Sequence, residues 1–153
     1  MKKLVIIFIV LSVSNFSLFS QNKTIQGRVI TDQIESMSFV SIMINDTVEV
    51  GKTDLNGFFK IVTPASVRKI LFRSVGLDPT LIELVDECDE VEVIMMLIST
   101  YDFITLKKVD RLRIKRFKKL PELHKEAFEK GIFKTDKASY TQKFIPIYKK
   151  KQK

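Results

Sequence analysis

Gly51-Lys52-Thr53-Asp54-Leu55-Asn56-Gly57-Phe58-Phe59-Lys60-Ile61 is the stretch whose reading decides the fold. Asp, Asn and Gly form a turn in its middle, with strand-forming residues on both sides. The side chains of Asp54 and Asn56 can bond their own backbone, and Gly57 tolerates positive φ. Phe58, Phe59 and Ile61 supply aromatic and β-branched content. The pattern predicts a β-hairpin in which Asp54, Asn56 and Gly57 are the structural turn.

Outward from this turn the chain reads as all-β. Lys23 to Asp32 carries Ile25, Gly27, Val29 and Thr31 in near alternation, and Phe39 to Ile44, Thr47 to Val50 and Phe58 to Val62 follow as short apolar runs. Lys69 to Val75, Thr80 to Val85 and Val91 to Leu97 complete seven predicted strands, punctuated by Asn45-Asp46, Pro64 and Asp78-Pro79. Short strands with regular turn signals predict a sandwich. The expected core is Val29, Val40, Ile42, Phe59, Ile61, Ile70, Phe72, Ile82, Leu84, Val91 and Val93.

The order Ile25-x-Gly27-x-Val29-x-x-Asp32, Phe39-Val40-Ser41-Ile42, Gly51-x-Thr53-Asp54-x-x-Gly57-x-Phe59-x-Ile61 and Leu71-Phe72-x-Ser74-Val75-Gly76 resembles the carboxypeptidase regulatory-like domain. The resemblance implies a seven-stranded, transthyretin-like Greek-key sandwich over residues 21–99. It also implies a non-catalytic accessory module of the kind found in exported bacterial proteins, including the N-terminal extensions of TonB-dependent receptors. The chain departs from the pattern at Glu35-Ser36-Met37-Ser38, where a small or proline-containing turn is usual, and at Leu77, where an aromatic commonly stands.

Lys2 and Lys3 precede an apolar run from Leu4 to Val13 and a Ser- and Phe-containing region ending at Ser20, a signal-peptide pattern over residues 1–20. The apolar run is about half the length of a membrane-spanning helix, so the expectation is cleavage after Ser20 and no transmembrane domain thereafter. No cysteine lies near the cut to carry a lipid. The expected location is the periplasm or the outer membrane, or outside the cell.

Candidate chemistry is sparse. Cys88 is the sole cysteine and stands between Glu87 and Asp89, carboxylates that raise a thiol's pKa, so it reads as inert. His124 is the sole histidine, lies in a charged helix-like stretch, and reads as a surface residue. Asp54-x-Asn56-Gly57 resembles the start of a calcium loop, but its twelfth position is Ala65, which cannot supply the bidentate carboxylate. Asp86-Glu87-Cys88-Asp89-Glu90 reads as a solvated hinge. Phosphate-binding loops, nucleophile elbows and catalytic triads have no counterpart in the sequence. The expectation is a non-enzyme without cofactor or metal.

Charge divides the chain. Gln21 to Leu106 holds seven basic and thirteen acidic residues, a net of −6, and Lys107 to Lys153 holds seventeen basic and five acidic ones, a net of +12. The basic character therefore belongs to residues 100–153, an extension expected to be partly helical. Tyr101 to Leu106 is apolar enough to pack back on the sandwich. Leu106, Val109, Leu112 and Phe117 recur near helical spacing, and Pro121 as a first-turn residue with Gly131 as a stop marks a second helix. From Ile132 to Tyr148 apolar anchors show no clear period, and Lys149 to Lys153 is expected to be disordered.

Arg111, Arg113, Lys115, Arg116, Lys118 and Lys119 are the candidates for binding an anionic envelope surface or an acidic protein, by Coulomb attraction and counterion release. A subunit or folding helper of a larger envelope complex is the alternative reading. Export argues against nucleic acid as the partner. The two oppositely charged halves are also suited to bind one another, within a chain or between chains.

Overall fold

The computed structural model describes residues 22–85 and 88–148. The expected signal peptide, Asp86 and Glu87, and the terminal Lys149 to Lys153 lie outside the described residues. Eight strands and two helices follow in the order β1 (Asn22–Thr31), β2 (Ser41–Ile44), β3 (Val48–Lys52), β4 (Phe58–Pro64), β5 (Lys69–Arg73), β6 (Thr80–Leu84), β7 (Glu90–Met95), α1 (Leu106–Phe117), α2 (Leu120–Glu129) and β8 (Tyr140–Lys143). Each of the seven predicted strands overlaps an observed one.

The chain is mostly β, in two sheets. One has the order β4-β1-β7 and the other β3-β2-β5-β6-β8. β1 runs antiparallel to β4 and parallel to β7, whereas the larger sheet is antiparallel throughout. Alternation sets the inner faces: Phe59 and Ile61 of β4 are buried while Phe58, Lys60 and Val62 between them are exposed. All eleven expected core residues are buried in one cluster between the sheets, joined by Ile25, Leu77, Met95 and Tyr140. Leu77 is thus a core residue at 2 % exposure.

The decisive turn is not a hairpin. β3 stays paired to β2, with Ser41 opposite Lys52, while β4 pairs to β1, with Gly27 opposite Phe59, so the turn carries the chain from one sheet to the other. Thr53 holds the departure point: it is buried, its hydroxyl donates to the Met37 carbonyl at 2.7 Å and accepts from the Val40 N–H at 2.9 Å. Asp54 then closes the turn, Oδ1 accepting from the N–H groups of Asn56 at 2.9 Å and Phe58 at 2.8 Å. Gly57 has φ +80°, the left-handed conformation that glycine tolerates. Asn56 contributes its carbonyl, which accepts from Arg28 Nε at 3.3 Å.

A second apolar cluster lies on the outer side of the smaller sheet. Ile30, Ile94 and Met96 meet Leu120 and Ala127 of α2 and Phe133 beyond it. This explains why β7 is buried from Val91 to Met95 without alternation. A strand covered on both faces has no solvent side to keep polar.

β8 extends the larger sheet by pairing with β6, Leu84 opposite Tyr140. It also closes the gap to β7, because Tyr140 Oη donates to the Glu92 carbonyl at 2.9 Å and Ser139 Oγ to the Glu90 carbonyl at 2.9 Å. Against the expectation of seven strands, eight are present among the described residues, the last supplied from the basic stretch. Phe103 is fully exposed and Leu106 more than half exposed, whereas Tyr101 and Ile104 are half-buried, so the Tyr101 to Leu106 segment packs back only in part.

Candidate functional site

α1 sorts its cations by direction. At about 100° per residue, Lys107, Lys108, Arg111 and Lys115 fall within roughly a third of the helix circumference, and Lys118 and Lys119 continue that stripe past the helix end. All six are exposed, and none pairs with a carboxylate among the described residues. The opposite side carries Val109, Asp110 and Arg113, which are buried, and Arg116, which is half-buried.

Of the six candidate surface cations, the structure places Arg111, Lys115, Lys118 and Lys119 at the surface and turns Arg113 and Arg116 inward. Arg113 is 4 % exposed, with Nε donating to Asp78 Oδ2 at 2.9 Å and Nη1 to Asp110 Oδ1 at 2.8 Å and the Ile145 carbonyl at 3.1 Å. Its guanidinium also lies over the Phe144 ring, 5.0 Å from the centroid. Arg116 donates to Asp32 and to Ser99 Oγ. These two arginines are corrected from surface binders to anchors, for a physical reason: a buried carboxylate needs a partner, and a guanidinium offers several donors in a fixed fork.

Asp110 ties the C-terminal segment to this anchor. Its oxygens accept from the N–H groups of Ile147 at 3.0 Å and Tyr148 at 2.8 Å as well as from Arg113. Burial works to raise its pKa, but those backbone bonds and the guanidinium outweigh it and hold the carboxyl below its ordinary value. Two further cations of the basic stretch, Lys134 and Lys143, pair with Glu90 and Glu83 at exposed positions that add little to stability. The oppositely charged halves therefore meet within one chain, at Asp32, Asp78, Glu83 and Glu90.

No family model matches this sequence, and no curated protein matches it. Among the described residues no group of three or more His, Cys, Asp and Glu side chains is placed to hold a metal, and no helix is long and apolar enough to cross a membrane. Asp54 and Gly57 have structural roles in the turn already described.

His124 is the polar residue that sequence reasoning misplaced. It is 3 % exposed, packed against the Phe133 ring at 4.7 Å between centroids, and neither ring nitrogen makes a hydrogen bond of ordinary geometry. Burial pushes its pKa below the usual histidine value, against the opposing pull of Glu92 and Asp136. The signal was present: Leu120, His124 and Ala127 stand at helical spacing and form the buried face of α2. Glu92, buried at 6 % exposure, accepts from the N–H groups of Lys134 at 2.6 Å and Thr135 at 3.2 Å and from the Thr135 hydroxyl at 2.8 Å. Cys88 is half-buried, with Sγ 3.0 Å from the Glu90 carbonyl.

Proposed function

We propose that this protein is an exported, non-catalytic binding module of carboxypeptidase regulatory-like type, with a transthyretin-like Greek-key sandwich, whose basic C-terminal extension contacts an anionic envelope surface. The observation that carries this reading is the sorting of charge on α1. Arg113 and Arg116 are consumed by internal carboxylates, while Lys107, Lys108, Arg111 and Lys115 stand on one side without a carboxylate partner among the described residues, continued by Lys118 and Lys119. Such a stripe gains from clustered phosphates by Coulomb attraction that falls off within a Debye length. Residues 1–20 act in this reading as the removable export signal.

Sedimentation with phosphatidylglycerol-containing vesicles tests it, using a Lys107→Gln, Arg111→Gln, Lys115→Gln, Lys118→Gln variant beside the unaltered protein. The unaltered chain is expected to pellet at low salt and be released at high salt, and the variant to stay in solution. Equal pelleting of the two removes α1 as the determinant.

The second reading, a subunit or folding helper of a larger envelope complex, is favoured by the decisive turn. Phe39 (64 % exposed), Leu55 (74 %) and Phe58 (48 %) surround it as an apolar surface. A stoichiometric protein recovered with the chain from the cell envelope, and lost with Leu55→Ser, would favour that reading.

A further inference from the structure

A cleft of about 440 Å³ opens between the α1–α2 corner and β8. Its volume is within the range of small-molecule sites, about 300–1,000 Å³. The floor is apolar, made by Ile94 from the smaller sheet, Phe117 and Leu120 from the helices, and Tyr140 from β8. The rim carries one lysine from each side, Lys118 at the helix corner and Lys137 on the approach to β8, both exposed and unpaired among the described residues.

The chemistry of an occupant follows from this division. The Tyr140 and Gln142 donors in the lining are already committed to the Glu92 and Ile94 carbonyls, so the floor offers little to a free phosphate or sugar and gains by covering hydrocarbon. Two rim cations offer a carboxylate its counter-charges. Leu120 and Pro121, which open α2, line the cleft beside Phe117 and Lys118 at the C-terminal end of α1, so the opposite helix ends offset one another and the attraction rests on the lysines. Asp136 lines the cleft as well, leaving two cations against one carboxylate. The His124 ring is part of the wall, with its nitrogens shielded from solvent.

We propose that this cleft binds a small organic carboxylate with an aliphatic or aromatic body, the body on the Ile94, Phe117, Leu120 and Tyr140 floor and the carboxylate between Lys118 and Lys137. The site is separate from the α1 stripe except for Lys118, and it stands or falls independently of export or envelope binding.

His124 reports on this site directly, because it is the sole histidine of the chain and its ring forms part of the wall. Its imidazole C–H signals in the proton NMR spectrum of the purified protein can be followed during titration at pH 7.5. Phenylacetate is expected to shift them saturably. Phenylacetamide, which keeps the body and loses the charge, and a Lys118→Gln, Lys137→Gln variant titrated with phenylacetate are each expected to bind on the order of tenfold more weakly. Acetate, which keeps the charge and loses the body, is expected to produce no saturable shift. Ala138→Phe, at an exposed position lining the cleft, fills it and abolishes the response. Lys52→Gln, on β3 at the edge of the larger sheet opposite β8, leaves the response intact. The proposal is overturned if phenylacetate produces no shift, if acetate or phenylacetamide matches it, or if the double lysine variant binds as the unaltered protein does.

Discussion

Gly57 shows how narrowly a single residue is constrained in this fold. Its φ of +80° is costly for any residue with a Cβ, and a Cβ built there would lie 2.4 Å from the Val29 carbonyl oxygen. Gly57→Ala therefore combines backbone strain with a backbone clash, and should destabilise by more than about 2 kcal/mol. Urea unfolding followed by circular dichroism measures it, and a midpoint unchanged from the unaltered protein would refute the clash. His124 makes the second residue-scale prediction. Its native pKa lies below the unfolded value of about 6.5, so between the two the unfolded chain binds a proton that the native one does not. Stability should be independent of this group above about pH 6.5 and decline as pH falls below it, and His124→Gln should flatten that slope. Urea midpoints at pH 7.5 and pH 5 for both proteins decide the matter. Both residues were partly legible. The tolerance for positive φ at Gly57 was legible in the Asp-Leu-Asn-Gly order, whereas the burial of His124 required knowing which side of α2 meets the sheet.

At the scale of elements, the strands were readable where a period of two or a turn signal marked them, and β8 was missed for a physical reason. Tyr140-Thr141-Gln142-Lys143 has one large apolar residue and two neighbours of ordinary solvated type. Its strand character comes from the β6 edge it pairs with and from Tyr140 reaching the inner core, both of them tertiary facts. The hydroxyl of that tyrosine is buried, so burial pushes its pKa far above the usual value and it remains a donor to the Glu92 carbonyl. Tyr140→Phe should cost about 1–2 kcal/mol, the penalty of leaving that carbonyl unsatisfied. The same measurement distinguishes the two contributions of β8: Tyr140→Ala should cost more, because it also removes the ring from the core. The two helices were read correctly from spacing, Pro121 and Gly131. Which of their arginines point inward was not, since Arg113 and Arg111 look alike until Asp78, 35 positions before Arg113, is brought beside one of them.

At the scale of the molecule, charge proved a poor guide to boundaries. A net of +12 in the last third read as an appendage to an acidic body. The structure spends part of that charge on the body itself, through Arg113, Arg116, Lys134 and Lys143. The apolar residues between those cations cover Ile30, Ile94 and Met96. A chain ending at Leu106 should therefore expose these three side chains and the β6 edge together, and it should aggregate or bind a hydrophobic dye instead of unfolding cooperatively. Size-exclusion chromatography and thermal unfolding check this. A soluble monomer with a sharp transition would mean that residues 22–106 fold unaided.

The position of β8 carries a consequence for how the chain reaches this state. The strand that closes the gap between the sheets lies at residues 140–143 of 153, so its pairing partner β6 waits some fifty-five residues for it. A chain emerging N-terminus first from a ribosome has β1 to β7 and both helices in the open before that edge is sealed. The β6 edge therefore stays open to other strands until residues 140–143 arrive to cover it.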